Sequence, residues 1–369
     1  MSTVVLEKLV AKPPAKLGIV DCDIHPSPQS MASLFPFMSE RWRTHAETFG
    51  VFSPAPFTGH SLFAKSAPSI ARRDAWPESG PPGSDLALMQ RQHLDLLGID
   101  HGMLTPLSPN PGVERNLDFA AVLASAVNDW QLAEFTDKDK RLHPAIVVPR
   151  EDPEAAVKEI ARCAKDGRYA QLMLRPHGLE PFGRRRYWPV FEAAVAHGLP
   201  VGVHAGGYGA YPLTSAGWPS FYIEEHLSTT VGGGPALATS LIFEGVFDRF
   251  PDLKVVFIEN GFAWIPSVGW RLDRLWERNR AEVPHVKRPP SEYLRSNCWF
   301  TTQPIEEPAR PADLRQIFDW IGWDRLLFSS DYPHWDSDDP NYMFPIQISS
   351  AERSQIMRDN ALHVYGHRF

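Results

Sequence analysis

Eight short apolar segments alternate with helix-like segments along nearly the whole chain, and this alternation restricts the fold more than any other sequence feature. Strands separated by helices form a parallel sheet, and eight such units predict a closed (β/α)8 TIM barrel. An open, doubly wound sheet is the alternative, but no Gly-x-Gly-x-x-Gly motif follows the first predicted strand. The predicted strands are residues 18–24, 101–107, 142–148, 169–174, 199–204, 254–258, 299–302 and 325–329.

A long segment without a regular pattern, residues 27–83, follows the first predicted strand. It is rich in Pro, Phe and Trp, and its prolines exclude a regular helix or a central strand over much of its length. Long irregular segments inside a compact domain are usually functional. We therefore predict a lid-like insertion over residues 27–83 in a single barrel domain of residues 17–369, preceded by an N-terminal tail of residues 1–16.

Composition argues against several classes of partner. The 369-residue chain is 43% hydrophobic, which suffices for a large core, and its formal net charge of −7 argues against a nucleic-acid partner. No run of about 18 apolar residues predicts a membrane span, and the N-terminus has no signal-type apolar segment. The 3 cysteines of the chain form no disulfide-type pattern, so a cytoplasmic location fits best. The sequence leaves open whether the chain forms a homo-oligomer.

The first predicted strand ends in the motif Asp-Cys-Asp-Ile-His, residues 21–25. In a regular strand alternate residues share a face, so Asp21, Asp23 and His25 are expected to point the same way. Two carboxylates and an imidazole that converge away from water need a positive charge between them. A divalent metal ion provides that charge, and a solvated acidic turn is the alternative.

Three later strands end in the same kinds of side chain, and the strand ends of a barrel meet at one mouth. His204 ends the fifth predicted strand, Glu259 follows the sixth and Asp331 follows the eighth. Each position has a structural alternative, such as a buried core histidine or a helix cap. The coincidence of four strand ends favours a metal site that includes Asp23 and His25 together with these three residues. We also expect Glu259 and Asp331 to act as catalytic acid or base groups.

Three further residues are candidates for the same centre. Asp21 belongs to the first-strand motif, and His334 lies three residues beyond Asp331, so both are candidate ligands. His226, in the predicted loop after the fifth strand, is a candidate catalytic acid or base or a further ligand. These side chains would supply enough ligands for a second metal ion, and a solvated loop histidine is the alternative for His226 and His334.

Basic residues follow the fourth predicted strand and are candidates for substrate binding. Arg175 ends that strand, and arginine binds carboxylates with two parallel hydrogen bonds. His177 and Arg185 lie shortly after it, and Arg185 is part of an Arg-Arg-Arg triplet. Near a barrel mouth such a triplet would suit the phosphates of an acyl carrier, whereas elsewhere it is a solvated surface.

These motifs resemble those of the amidohydrolase-related TIM barrels, a family that includes the aminocarboxymuconate-semialdehyde decarboxylase branch. The matching segments are Asp-x-His at residues 23–25, His-Ala-Gly-Gly at 204–207, Val-Phe-Asp-Arg-Phe-Pro-Asp-Leu-Lys at 246–254 and Ser-Ser-Asp-Tyr-Pro-His at 329–334. The resemblance covers nearly the whole chain and implies a metal ion at the barrel mouth. The ligands that it implies are Asp23, His25, His204 and Asp331.

Two positions depart from the decarboxylase pattern. The usual His-x-His of the first strand is Asp23-Ile24-His25, and the histidine that serves as acid or base after the sixth strand is Glu259. The departures resemble a sub-branch that has Asp-x-Asp-x-His and Glu-Asn-Gly motifs. Its members act on acyl-CoA-linked substrates, and they include hydrolases and a non-haem diiron monooxygenase.

From the residues and this resemblance we predict a metal-dependent hydrolase that acts on an organic acid or its acyl-CoA thioester through a metal-bound hydroxide. A non-haem diiron monooxygenase of a CoA-linked or bulky hydrophobic acid is the first alternative, and a non-oxidative decarboxylase is the second. One or two divalent ions are expected, iron or zinc, with manganese also compatible with a carboxylate-rich set of ligands. A non-catalytic barrel would require the strand-end cluster to be accidental.

Overall fold

Eight strands follow one another in a single sheet, and each pairs in parallel with the next. The computed structural model describes residues 18–51, 71–176, 178–206 and 221–369. The strands are β1 Ile19–Ile24, β2 Ile99–Leu104, β3 Leu142–Val147, β4 Gln171–Leu174, β5 Val201–His204, β6 Val255–Ile258, β7 Cys298–Thr301 and β8 Leu326–Leu327. A parallel bridge between Ile24 and Tyr332 joins the end of the sheet to its beginning. The predicted (β/α)8 barrel is confirmed.

Helices separate the strands and cover the outside of the barrel. The α-helices are Glu40–Phe49, Leu86–Met89, Asp95–Leu97, Leu117–Gln131, Pro153–Cys163, Trp188–Ala196, Tyr222–Thr230, Gly233–Phe243, Val246–Arg249, Trp264–Arg278, Pro290–Ser296, Pro311–Ile321, Ser350–Ser354 and Asn360–Tyr365. Within the described ranges, π-helical segments directly continue some of these helices, at Gln90–Leu94, Leu132–Thr136 and Gln355–Asp359. No helix within the described ranges is long and apolar enough to cross a membrane.

Local chemistry explains where the helices begin. Asp152 precedes the helix Pro153–Cys163, and its carboxylate accepts a hydrogen bond from the backbone N–H of Ala155 at 3.0 Å. Pro153 suits the first helical turn because its missing N–H has no partner there in any helix. Asn116 caps the helix Leu117–Gln131 in the same way, through the N–H of Phe119.

The strands are buried on both faces, as expected for a parallel sheet covered by helices. Every residue of β1 and of the strands from β3 to β8 is buried. The observed β8 is shorter than predicted, because the N–H of Phe328 leaves the strand ladder and donates to the carbonyl of Ile356. The polar side chains of the candidate site lie just beyond the carboxyl ends of these buried strands.

The insertion after β1 leaves and rejoins the barrel mouth. Its two ends are joined by a hydrogen bond from the N–H of Ser27 to the carbonyl of Gly83, at 3.1 Å. A 3-10 helix, Met31–Phe37, lies near its start. Ala71 forms an isolated bridge with His334, in the loop after β8. A lid role for residues 27–83 stays a prediction, since residues 52–70 lie outside the described ranges, as does the predicted tail, 1–16.

Candidate metal centre

A bulge in β1 separates the two aspartates that regular alternation would place together. Asp21 pairs with Gly102 of β2, and Ile24 pairs with Leu104, so three steps along β1 match two steps along β2. Such a bulge adds one residue and interrupts the alternation of side chains across the two faces. The expectation that Asp21, Asp23 and His25 share one face therefore fails for Asp21.

Asp21 is bound by other side chains of the protein instead of joining the candidate ligands. Its carboxylate accepts hydrogen bonds from the backbone N–H of Ser330 at 2.9 Å and from the Ser330 hydroxyl at 2.6 Å. His93 Nε2 lies 2.8 Å from Oδ2, the oxygen that also accepts from the Ser330 hydroxyl. Neither group of candidate metal ligands among the described residues includes Asp21. We reassign it as a residue that fixes the chain immediately before Asp331.

The first group of candidate ligands is Asp23, His25, His204 and Glu259, and their donor atoms all lie within 4.8 Å of one another. Asp23 Oδ2 is 3.3 Å from His204 Nε2 and 3.6 Å from His25 Nε2. Glu259 Oε2 is 3.3 Å from His204 Nε2. Glu259 is also shared with a second group, which contains His25, Asp331 and His334.

The unsatisfied atoms at the centre fit a cation. The imidazole Nδ1 of His204 is 2.7 Å from the carbonyl of Ala205, a contact in which Nδ1 carries the proton and Nε2 presents a lone pair. That lone pair faces Asp23 Oδ2, and both atoms are buried without a hydrogen-bond partner. Two buried electron-pair donors facing each other repel unless a positive charge lies between them. The cluster therefore has the character of a divalent-metal site.

Thr105, at the end of β2, holds two of these ligands in place. Its hydroxyl donates to Asp23 Oδ1, and its carbonyl oxygen is 2.8 Å from His25 Nδ1. These contacts leave Asp23 Oδ2 and His25 Nε2 directed at the centre. Partners of this kind orient ligands and tune their basicity. Sequence analysis missed Thr105, because the second strand was predicted to continue to residue 107, whereas the observed β2 ends at Leu104.

Asp331 is surrounded by donors. Its Oδ1 is 2.7 Å from His25 Nε2 and 2.6 Å from His334 Nδ1, and its Oδ2 accepts from Gln303 Nε2 at 3.1 Å. Gln303 follows β7 and was also missed. Burial alone would raise the pKa of Asp331, but His334 and His25 outweigh burial and hold this pKa well below its usual range. Asp331 is therefore an anion and a suitable metal ligand.

Glu259 has the opposite electrostatic environment. Burial raises the pKa of its carboxyl group well above the usual range, and the neighbouring carboxylates Asp331 and Asp23 raise it further. Arg175 and any bound cation act in the opposite direction. The surrounding protein thus shifts the pKa of Glu259 and the pKa of Asp331 in opposite directions.

Glu259 and Asp331 also share an uncommon backbone conformation. Their φ angles are 56° and 62°, and they are the non-glycine residues with positive φ in the described part of the chain. Left-handed backbone is unfavourable for residues with a side chain and concentrates at functional sites. The N–H of Glu259 donates to the hydroxyl of Thr301, which helps to hold this turn after β6.

We expect metal affinity to rise with pH, with protons released on binding. Burial lowers the pKa of His25, but Asp23 and Asp331 outweigh burial and raise it to about 9. Below that pH chelator-treated protein holds an imidazolium, which must lose a proton before Nε2 can bind a metal ion. Affinity should therefore increase about tenfold per pH unit from pH 6 towards 9. Calorimetry in buffers of different ionisation enthalpy measures the protons released, and a flat pH profile would contradict the role of His25.

His226 lies at the rim of the centre but on a helix rather than in the predicted loop. It belongs to the helix Tyr222–Thr230, and its Nε2 is 3.4 Å from Asp336 Oδ2. This interaction with Asp336 raises the pKa of His226. The Trp335 ring lies 5.6 Å from the imidazole. His226 belongs to neither group of candidate ligands, so its predicted role as acid, base or ligand stays a prediction.

The three predicted substrate-binding residues have different surroundings. Arg175 follows β4, and its Nη1 donates to the carbonyl of Leu107 at 2.7 Å. Arg185 is exposed, and its guanidinium lies 5.5 Å from the centre of the Trp188 ring. Its described contacts do not include the candidate ligands. His177 lies outside the described residues.

Comparison with known proteins agrees with this geometry. The amidohydrolase family model matches residues 20–367. A gamma-resorcylate decarboxylase from Polaromonas sp. (strain JS666) is 25% identical over 325 residues, which cover 84% of this chain and 96% of that protein. Gamma-resorcylate decarboxylases from Rhizobium and Rhodococcus jostii also match at 25% and 26% identity.

Two solved structures share the fold. The dihydroxybenzoic acid decarboxylase of Polaromonas sp. JS666, with bound manganese and 2-nitroresorcinol, has a TM-score of 0.66 and 20% identity, and the alignment covers 94% of this chain and 96% of that one. The 5-carboxyvanillate decarboxylase of Novosphingobium aromaticivorans, complexed with manganese and 4-hydroxy-3-methoxy-5-nitrobenzoic acid, has a TM-score of 0.69 and 18% identity, with coverages of 95% and 96%. At these identities the likeness shows the common barrel.

Proposed function

Since the chain belongs to the amidohydrolase family, we propose that it is a metal-dependent decarboxylase that removes CO2 from a small aromatic acid. The observation that carries this proposal is the pair of carboxyl groups with opposite pKa shifts, Glu259 and Asp331, next to a buried set of metal-ligand atoms. Neighbouring carboxyl groups with separated pKa values divide into an acid and an anion. Manganese is the proposed ion, because it suits carboxylate-rich sites and two solved relatives contain it.

The prediction of a hydrolase, with a diiron monooxygenase as first alternative, is wrong. The relatives that this chain matches over most of their length are decarboxylases, which corresponds to the second alternative. The sequence analysis inferred the reaction from the side chains at positions 23 and 259. These side chains determine which donor atoms are present, but the same donor atoms can serve several reactions. The names of these relatives refer to small aromatic acids and their bound ligands are small aromatic molecules, so an acyl-CoA substrate is not part of the proposal.

Four residues would hold the metal ion, and neighbouring side chains orient them. The proposed ligands are Asp23, His25 and His204 from the first group and Asp331 from the second, whose Oδ1 is 2.7 Å from His25 Nε2. A bound divalent ion would act as a Lewis acid that stabilises negative charge on the oxygen atoms of the substrate. Gln303 and Thr105 keep Asp331 and Asp23 oriented through the hydrogen bonds described above.

Glu259 is proposed to carry the proton of the reaction. As the bond between the ring carbon and the carboxylate breaks, CO2 leaves with the carboxylate oxygens and the bonding electrons remain on the ring carbon. The protonated carboxyl group of Glu259 then donates its proton to that carbon, and water restores the proton afterwards. Arg175 supplies positive charge on the β4 side of the mouth, where an acidic substrate would otherwise meet several carboxylates.

Release of CO2 from aromatic acids tests the proposed function directly. Manganese-loaded protein is incubated with 2,6-dihydroxybenzoate or 5-carboxyvanillate, and the CO2 and the phenolic product are quantified. We expect equal amounts of the two products, loss of turnover after chelation, and one deuterium at the vacated ring carbon when the reaction runs in D2O. Consumption of the acid without CO2, or turnover unaffected by chelation, would contradict the proposal.

A further inference from the structure

Arg175 brings a positive charge to the carboxylate-rich side of the mouth. Its Nη1 donates to Leu107, as described, and its Nη2 faces Gly206, two residues beyond the ligand His204. A methyl group added at Gly206 would lie 3.4 Å from Nη2, and the φ of +70° there is also unfavourable for a side chain. The glycine therefore leaves room beside the guanidinium. Arg175 follows β4, which pairs with β5, the strand that ends in His204, so the guanidinium is mounted next to the candidate ligands.

The loop that follows Arg175 is held by two consecutive residues after β3. Arg150 is buried and donates through Nη1 to the carbonyl oxygen of Arg175 itself. The next residue, Glu151, accepts from the N–H of Leu179 at 3.1 Å and lies 3.1 Å from Nη2 of Arg186. These contacts fix the backbone on which the Arg175 side chain is mounted. A binding group that is fixed before the ligand arrives loses less entropy on binding.

We propose that Arg175 binds a second anionic group of the substrate, one that does not react, and that the substrate is an aromatic acid with two anionic substituents, such as a dicarboxylate. Arg150 and Glu151 act as positioning residues for this subsite. The proposal rests on the proposed decarboxylation for the identity of the reacting group, but the binding preference can be measured without any reaction.

The movement of charge during decarboxylation decides which anionic group suits Arg175. The reacting carboxylate becomes neutral CO2, so its negative charge moves to the ring carbon. An arginine bonded to that carboxylate would stabilise the starting acid more than the transition state and would slow the reaction. An arginine bonded to a group that does not react keeps its contact throughout and improves binding at no loss of rate.

Electrostatics around the centre points to the same assignment. The carboxylates of Asp23 and Asp331 lie at the proposed reaction site, and an acid with two negative charges would be repelled by them. A metal ion compensates the charge of the group it holds, which leaves the second charge to be compensated elsewhere. Arg175 lies beside this centre, because its Nη2 faces Gly206, two residues beyond His204. Its fork of N–H donors matches a carboxylate.

Two unreactive probes test the subsite by calorimetry on manganese-loaded protein. Benzoate carries one carboxylate, and isophthalate (benzene-1,3-dicarboxylate) carries two. We expect wild type to bind isophthalate more tightly than benzoate. Arg175→Gln should lower the affinity for isophthalate by about 30- to 100-fold and change the affinity for benzoate by less than about threefold, because only the second carboxylate loses its charged partner. Equal weakening of both probes, or of neither, would overturn the proposal.

A matched control and a positioning variant accompany Arg175→Gln. Arg249→Gln removes the same charge from an exposed side chain that precedes β6, at the opposite end of the barrel, and should leave both probes unaffected. Glu151→Gln should lower the affinity for isophthalate by about tenfold while manganese content and benzoate affinity stay as in wild type. In turnover assays the KM for a diacid should rise with kcat unchanged. A Glu151→Gln protein that loses affinity for both probes equally would show a general structural role instead.

The outcomes separate this inference from the proposed function. If wild type releases no CO2 from any aromatic acid but keeps an isophthalate preference that Arg175→Gln removes, the reaction is wrong and the anion subsite stands. If wild type releases CO2 but Arg175→Gln leaves the KM values of 5-carboxyvanillate, with two carboxylates, and 2,6-dihydroxybenzoate, with one, unchanged, the reaction stands and the subsite is wrong.

Discussion

Replacement of His204 by alanine is expected to lower the affinity for manganese by at least about 100-fold, since changes in residues that merely orient ligands already lower it by 10- to 100-fold. The His204 Nε2 lone pair faces Asp23 Oδ2, and both atoms are buried without a hydrogen-bond partner. The rate of decarboxylation should fall to background, because the variant loses its metal ion. Equilibrium dialysis with manganese, followed by metal analysis, measures the affinity.

The control for this variant is His363→Ala, which removes an imidazole from the exposed surface of the helix Asn360–Tyr365. It should retain wild-type manganese content and turnover. Circular dichroism should show the same helix content in both variants, because the barrel interior below the mouth is packed by apolar side chains. A His204→Ala protein that binds manganese with wild-type affinity would remove His204 from the set of ligands.

Glu259→Gln is expected to reduce kcat by about 10²- to 10⁴-fold, the range typical for loss of a general acid. The amide keeps the shape of the side chain but carries no acidic proton. Manganese content should remain that of wild type, and wild-type exchange of the product ring hydrogen with D2O should disappear in the variant. Metal analysis, single-turnover kinetics and proton NMR measure the three quantities.

The pH dependence of the rate provides a second measurement on Glu259. Burial and the neighbouring carboxylates raise its pKa, so the protonated, active form is present below that pKa and is lost as the pH rises through it. The alkaline fall of wild-type kcat should therefore be missing in Glu259→Gln. If the variant instead loses manganese along with activity, Glu259 is a metal ligand, as the sequence had also suggested, and the proton must come from another group.

The barrel could be predicted from the sequence because eight buried strands in a parallel sheet produce eight separate apolar segments. Their ends were less predictable: β8 has only two residues, since Phe328 bonds to a helical segment that is distant in sequence. The bulge in β1 could not be predicted either. Its effect on Asp21 depends on the partners Ser330 and His93, which no local pattern connects to that strand.

The candidate site was predictable where its residues end strands, and less so elsewhere. His25, His204 and Asp331 converge as expected, because the strand ends of a barrel share one mouth. Thr105 and Gln303 also follow strands, but uncharged side chains in such positions are common and gave no distinct signal. The type of reaction was the least predictable feature, since the same set of donor atoms can serve several reactions.

The left-handed backbone at residues 259 and 331 places stability and chemistry in direct competition at two peptide units. Each such conformation costs on the order of 1–3 kcal/mol when the residue carries a side chain, and glycine removes that strain. A population of variants selected only for resistance to heat would therefore favour glycine at residue 259, where it would stabilise the barrel and remove the proposed proton carrier. Glycine at residue 331 would also leave His25 and Gln303 without their buried acceptor, which offsets the strain that it relieves. Laboratory evolution of this enzyme needs a screen for turnover from the first round, because thermal selection alone leads away from the active centre.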